Sequence, residues 1–211
     1  MTELVFILDR SGSMAGLERD TIGGFNAMIE KQKREAEKTV VSTVLFDSKT
    51  QVIHDRLPLE QIPPMTEEDY TVRGTTALLD AVGKAIHHIG NVHKYARAED
   101  RPDRTLFVIT TDGYENSSRQ HDYPRVRQMI ERQKEKYGWE FLFLGANIDA
   151  AKEAGRLGIA AERAANYRAD PEGISLGFEA VAEAVTAVRK GCAIGESWRK
   201  SIDADVRRRG R

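Results

Sequence analysis

The chain has 211 residues, 31% of them charged and 40% hydrophobic, with a formal net charge of −1. That length suits one α/β domain with a sizeable core and is marginal for two, and the balanced charge gives no reason to expect nucleic acid or an anionic membrane as the main partner. A single cysteine, Cys192, excludes an intrachain disulfide and any cysteine-based metal site. No apolar run approaches the roughly 20 residues that cross a bilayer, and strand residues start at Leu4 with no basic leader ahead of them. A cytoplasmic setting is expected.

Leu4 to Leu8 is an unbroken apolar run, the pattern of a central strand covered on both faces. Apolar residues then recur at helical spacing at Ile22, Phe25, Met28 and Ile29, up to the charged stretch Lys31 to Lys38. Thr39 to Phe46 and Gln51 to Leu57 read as two strands of a hairpin, and Pro58, Pro63 and Pro64 place the second at a sheet edge. Thr76 opens a helix with Leu78, Val82, Ala85, Ile86 and Ile89 inside. Leu106 to Ile109 is the next buried strand.

Asp122 ahead of Pro124 caps a further helix, with Val126, Met129 and Ile130 inward. Trp139 to Leu144 is another strand, a short helix runs from Asp149 to near Gly158, and Arg163 to Tyr167 forms a last edge strand. Asp170-Pro171 starts a long helix, carrying Ile174, Phe178, Val181, Val185 and Val188 inside and ending at Gly191. Gly23-Gly24 inside the first helix reads as a close packing point. Strands alternating with helices, one hairpin excepted, predict a three-layer α/β/α domain: a doubly wound, mostly parallel, Rossmann-like sheet with one antiparallel edge strand.

The organising stretch is Asp9-Arg10-Ser11-Gly12-Ser13-Met14, directly after the first strand. Alternate side chains of an extended segment point the same way. The oxygens of Asp9, Ser11 and Ser13 therefore converge at the carboxyl end of the strand. One carboxylate and two hydroxyls make a hard, oxygen-rich half-cage suited to Mg²⁺, and an octahedral ion needs further ligands from elsewhere. The bland reading, that these residues cap the following helix, explains neither the second serine nor a later carboxylate.

This stretch resembles the first element of the metal-ion-dependent adhesion site (MIDAS) of von Willebrand factor A domains. Arg73-Gly74-Thr75-Thr76-Ala77-Leu78 is similar to the second element and Leu106 to Gly113, ending in Asp112, to the third. The resemblance covers roughly residues 3 to 170, and small stand-alone intracellular members of that family are its nearest type. It implies that Ser11 and Ser13 ligate a metal directly and that Asp9 acts mostly through water. Thr76 and Asp112 would ligate directly or through water according to state. Thr76 is favoured because it precedes a small residue and then a hydrophobe, with Thr75 as the fallback. Mg²⁺ is the implied cofactor, with Mn²⁺ or Ca²⁺ as alternatives. The implied function is protein binding without catalysis, an adaptor in an intracellular stress-response or ATPase-associated complex. The partner offers an Asp or Glu carboxylate to the ion, and Arg10, Met14, Asp47, Arg73, Tyr114, Glu115, Asn116 and Asn147 form the rim around it.

Two rival readings remain. A Mg²⁺-dependent phosphotransferase or phosphohydrolase also places an Asp after its first strand, but needs a second carboxylate two positions on, where this chain has Ser11. No G-x-x-x-x-G-K-[ST] or G-x-G-x-x-G loop is present, and no Ser stands with His and Asp in a nucleophilic context. His87, His88 and His93 read as solvated helix surface. The domain is expected to span residues 1–191, and 192–211 is expected to be a frayed basic tail. The second rival makes residues 199–211, with their run of arginines, an arm for nucleic acid.

Overall fold

The computed structural model describes residues 1–210. Six strands form one sheet in the order β3-β2-β1-β4-β5-β6. They are β1 (Thr2–Asp9), β2 (Thr39–Phe46), β3 (Thr50–Pro58), β4 (Arg104–Thr111), β5 (Glu140–Gly145) and β6 (Ala164–Asn166). Only β2 and β3 pair antiparallel; the other four ladders are parallel. Six α-helices among the described residues accompany them: α1 (Glu18–Lys33), α2 (Leu78–Tyr95), α3 (Tyr123–Tyr137), α4 (Ala150–Arg156), α5 (Pro171–Arg189) and α6 (Lys200–Arg209).

The alternation along β1 divides the core in two. Leu4, Phe6 and Leu8 face one cluster with α1 and α5, where Phe25, Met28, Val181 and Val185 lie. Val5 and Ile7 face the other, with Val82, Ile86, Val126, Ile130 and Ala154 of α2, α3 and α4. Helix starts follow the sequence signals: Asp122 accepts the N–H of Arg125 at 2.9 Å and Asp170 that of Gly173 at 2.8 Å. The Gly24 packing point is tight, because a Cβ there would stand 2.4 Å from Cδ2 of Phe178 on α5.

Residues 192–210 differ from the expected frayed tail. Ile194, Trp198 and Ile202 are all at most 4% exposed and belong to the α1/α5 core. Trp198 Nε1 donates to the Glu162 carbonyl at 3.0 Å, and Arg199 donates to the carbonyls of Ala161 and Ala164 beside the β6 edge. Arg209 pairs with Asp170 and Asp205, and Arg208 with Glu172 and Asp205. The physical reason is an apolar stripe at 194, 198, 202 and 206, which covers the last strand as edge strands require. His93 is also not free surface. Its Nε2 lies 2.5 Å from the buried Glu3 carboxylate, and its ring meets Trp139 edge-on at 5.2 Å. No helix among the described residues is long and apolar enough to cross a membrane.

Candidate metal centre

In a doubly wound sheet, ligands bind beyond the carboxyl ends of the strands where the strand order reverses. Here that point lies between β1 and β4, neighbours in the sheet though far apart in sequence. Leu8 pairs with Thr110, so Asp9 at the end of β1 stands level with Thr111, and Asp112 follows at once. The register alone therefore brings the first and third sequence elements together.

Side-chain geometry completes the cluster. Asp9 Oδ1 accepts the backbone N–H of Ser11 at 2.7 Å, and its Oδ2 accepts the Thr111 hydroxyl at 2.6 Å. The Ser11 and Ser13 hydroxyl oxygens are 3.1 Å apart, and Ser13 donates to Asp112 Oδ1 at 2.5 Å. Thr76 joins from the loop before α2: a Cβ placed on Gly113 would lie 3.8 Å from Ser13 Oγ and 3.9 Å from Thr76 Oγ1. Thr76 is 3% exposed whereas Thr75 is exposed, which favours Thr76 as the inward hydroxyl. Asp9 and Asp112 are each 2% exposed.

These two buried carboxylates have no cationic side chain among the described residues to neutralise them. Burial raises the Asp9 carboxyl above its ordinary range, against the hydrogen bonds from Ser11 and Thr111. Burial, reinforced by the charge of Asp9, pushes Asp112 up to about 6. Asp112 Oδ2 is buried without a hydrogen-bond partner, a costly arrangement unless something charged or donating meets it. Two carboxylates and three hydroxyls gathered at one end of the sheet are the oxygen donors that a hard divalent cation prefers. The residues present fit such an ion, and Asp9, Ser11, Ser13, Thr76 and Asp112 would hold it. Among the described residues no group of three or more His, Cys, Asp or Glu side chains offers a competing metal site.

The residues expected at the rim divide into buried and exposed ones. Arg10, Asp47 and Met14 are buried and cannot contact a partner as they stand. Arg10 Nε donates to Asp47 Oδ2 at 2.9 Å and its Nη1 to Gln51 Oε1 at 2.8 Å, while Met14 lines a small apolar pocket with Leu144, Tyr167 and Phe178. Glu115 turns inward as well: its carboxylate accepts the N–H groups of Leu79, Ser117 and Ser118, so it caps α2. Asn116 is exposed, and its Oδ1 accepts the N–H of Thr76 at 2.9 Å, fixing the Thr76 loop. Asn147 sits at φ 55°, a left-handed value Asn tolerates, and its Nδ2 reaches the Asp112 carbonyl at 3.4 Å. Arg73 and Tyr114 stay exposed, with Tyr114 at 52%.

Sequence reasoning missed three supporting residues. Thr111 holds Asp9. Tyr70 donates through its hydroxyl to the Asp9 carbonyl. Asp80, in the first turn of α2, accepts the N–H groups of Arg119, Gln120 and His121 and so pins the loop after Asp112. Only Thr111 carried a signal, by adjoining Asp112.

The fold agrees with solved structures. A von Willebrand factor type A protein from Catenulispora acidiphila matches with a TM-score of 0.60 at 15% identity, over 86% of this chain and 41% of that one. Proximal thread matrix protein 1 from the mussel byssus matches with a TM-score of 0.57 at 13% identity, over 86% of this chain and 45% of that one. The same mussel protein solved with a zinc-occupied MIDAS motif gives 0.57 at 14% identity, over 86% and 44%. The chain thus has the von Willebrand factor A fold and spans less than half the length of these structures. No family model matches the sequence, and no curated protein matches it.

Proposed function

We propose that the chain is a divalent-metal-dependent protein-binding module that takes a partner's Asp or Glu carboxylate, with Mg²⁺ as the resident ion. The observation carrying this reading is the buried, unpartnered Asp112 Oδ2 beside a hydroxyl cluster with no cationic side chain among the described residues. A mussel byssus protein of the same fold accepts zinc in its MIDAS motif, which supports a divalent ion here without fixing which one.

The metal would supply a Lewis-acidic point for a carboxylate oxygen. The chain's own residues determine how strongly. Ser11, Ser13 and Thr76 would offer neutral hydroxyls beside the two carboxylates, a set that would leave part of the charge of a divalent ion unquenched. Asp9 is tied by the Ser11 N–H and the Thr111 hydroxyl, and Asp112 by Ser13. That set favours capture of one more anionic oxygen, which is recognition chemistry. A phosphotransferase would need a carboxylate where Ser11 stands, so we assign no catalytic step. The adaptor role in an intracellular assembly is proposed from the resemblance to von Willebrand factor A domains.

Calorimetry with Mg²⁺ and Mn²⁺ on the wild type and on Asp9→Ala/Asp112→Ala tests it. Saturable binding by the wild type alone, followed by EDTA-sensitive capture of a carboxylate-bearing partner, supports the reading. Equal metal binding by the double variant would sink it.

A further inference from the structure

We infer that Arg73 is a second recognition point beside the metal centre, so that the module selects a partner segment carrying two neighbouring carboxylates. One would go to the ion and one to the Arg73 guanidinium. This rests on the carboxylate-binding reading above.

The argument starts at Asp47. Its Oδ2 already receives the buried Arg10 guanidinium at 2.9 Å, both side chains being 2% exposed. Its Oδ1 accepts the N–H of Lys49 at 2.8 Å and the Ser48 hydroxyl at 3.3 Å. Asp47 therefore has a charge partner and two further donors besides Arg73. Arg73 nevertheless places Nε 3.1 Å from the same Oδ2, while its side chain remains 58% exposed. Two guanidinium groups face one carboxylate, which leaves one positive charge over, and that charge belongs to the exposed arginine.

Its position is fixed by backbone bonds. The Arg73 N–H donates to the Arg10 carbonyl at 2.9 Å, and the Gly12 N–H donates to the Gly74 carbonyl at 3.1 Å. Residues 73 and 74 thus run alongside the Asp9–Ser13 loop, just before Thr76. Gly74, at φ 69°, makes the turn that brings the two loops so close. With Nε tethered to Asp47 and both Nη atoms free of bonds among the described residues, the outer edge of the guanidinium is presented to solvent. A planar fork held in this way matches a carboxylate through two parallel N–H···O bonds. The tether also reduces the side-chain entropy lost when a partner docks.

The test uses acetylated and amidated glycine-serine peptides bearing either one Glu or two Glu separated by zero to two residues. Each is titrated into the Mn²⁺-loaded full chain, on wild type, Arg73→Gln and Lys49→Gln. Lys49 is the control because it adds an exposed charge in the adjacent hairpin turn. The wild type should bind the best two-Glu peptide about tenfold more tightly than the one-Glu peptide, the effect of one charge-assisted hydrogen-bond pair. Arg73→Gln should reduce that ratio to about the statistical factor of two, and Lys49→Gln should retain it. The same ratio in wild type and Arg73→Gln overturns the inference, as does an equal loss in Lys49→Gln. If neither peptide binds in a metal-dependent way, the carboxylate-binding reading itself fails, and the inference with it.

Discussion

Ser13 donates its hydroxyl to one carboxylate oxygen of Asp112 at 2.5 Å, while the other oxygen of Asp112 is buried with no partner. A carboxylate so placed is poorly solvated in the protein alone and gains its compensation from a cation. Asp112→Asn should therefore leave the metal-free protein at least as stable as wild type in urea, because a buried charge is removed. Wild type should gain about 2.7 kcal/mol from metal at 100-fold excess over Kd, and the variant should gain nothing measurable. A variant that is strongly destabilised without metal would mean that Asp112 is a structural hydrogen-bond partner rather than a ligand.

The two threonines at the second element are separable. Thr76 is buried with its hydroxyl toward Gly113 and Ser13, and Thr75 is exposed. Thr76→Ala should weaken Mg²⁺ or Mn²⁺ binding about tenfold or more, the scale of losing a group that tunes a metal site. Thr75→Ala should lie within twofold of wild type by the same calorimetry. The reverse order would restore Thr75 as the ligand.

Asp80 gives the protein an acid-side pH dependence. Burial acts to raise its carboxyl, but the N–H groups of Arg119, Gln120 and His121, helped by the His121 ring, outweigh burial and hold it below the usual range. A carboxylate with a depressed folded-state pKa contributes stability above its unfolded value, near 4, and loses it as pH falls through the folded value. Asp80→Asn should thus cost about 1–3 kcal/mol near neutral pH. The gap from wild type should close on acidification below about pH 4, as seen in denaturant midpoints. A gap independent of pH would assign the loss to packing.

Much of this architecture was legible because its signals are local. The runs Leu4 to Leu8 and Leu106 to Ile109 read as buried strands, and the caps Asp122 and Asp170 read as helix starts. The Asp-x-Ser-x-Ser pattern ends a strand as its residue types require. The failures are contacts created by register. Arg10 meets Asp47 because Asp9 pairs with Phe46 across β1 and β2, which no spacing reveals. Thr111 reaches Asp9 for the same reason on the other side of β1. The C-terminal segment hides its packing in another way. Its apolar positions 194, 198, 202 and 206 lie among glycines and a run of arginines, whose composition masks the periodicity.

That segment yields a stability prediction. Trp198 is 2% exposed and donates Nε1 to the Glu162 carbonyl, joining the turn that leads into α6 to the segment before β6. Trp198→Ala should destabilise the protein by about 3–5 kcal/mol, the range for a buried aromatic truncated in a core. Deleting residues 192–211 should be at least as damaging in the same urea titration. If the truncated chain unfolds at the wild-type midpoint, the segment is a dispensable arm and the packing described for it carries no energy.

The Arg10–Asp47 pair sets how rigidly the metal loops are held. Both side chains are buried, and the surrounding backbone ties all three loops together. The Arg10 N–H donates to the Phe46 carbonyl, the Ala77 N–H to the Asp47 carbonyl, and the Arg73 N–H to the Arg10 carbonyl. Removing one partner of a buried ion pair strands the other charge, so Asp47→Asn should cost about 3–5 kcal/mol. Replacing both, as Arg10→Met with Asp47→Asn, should recover part of that loss because no buried charge is then left unpaired. Metal affinity should follow a different pattern. The double variant lacks the side-chain contact between the loop after β1 and the hairpin, leaving only the backbone bonds, so its affinity should remain below wild type even where stability returns. Stability and affinity recovering together would show that the pair only holds the fold. Stability recovering without affinity would show that it positions the site.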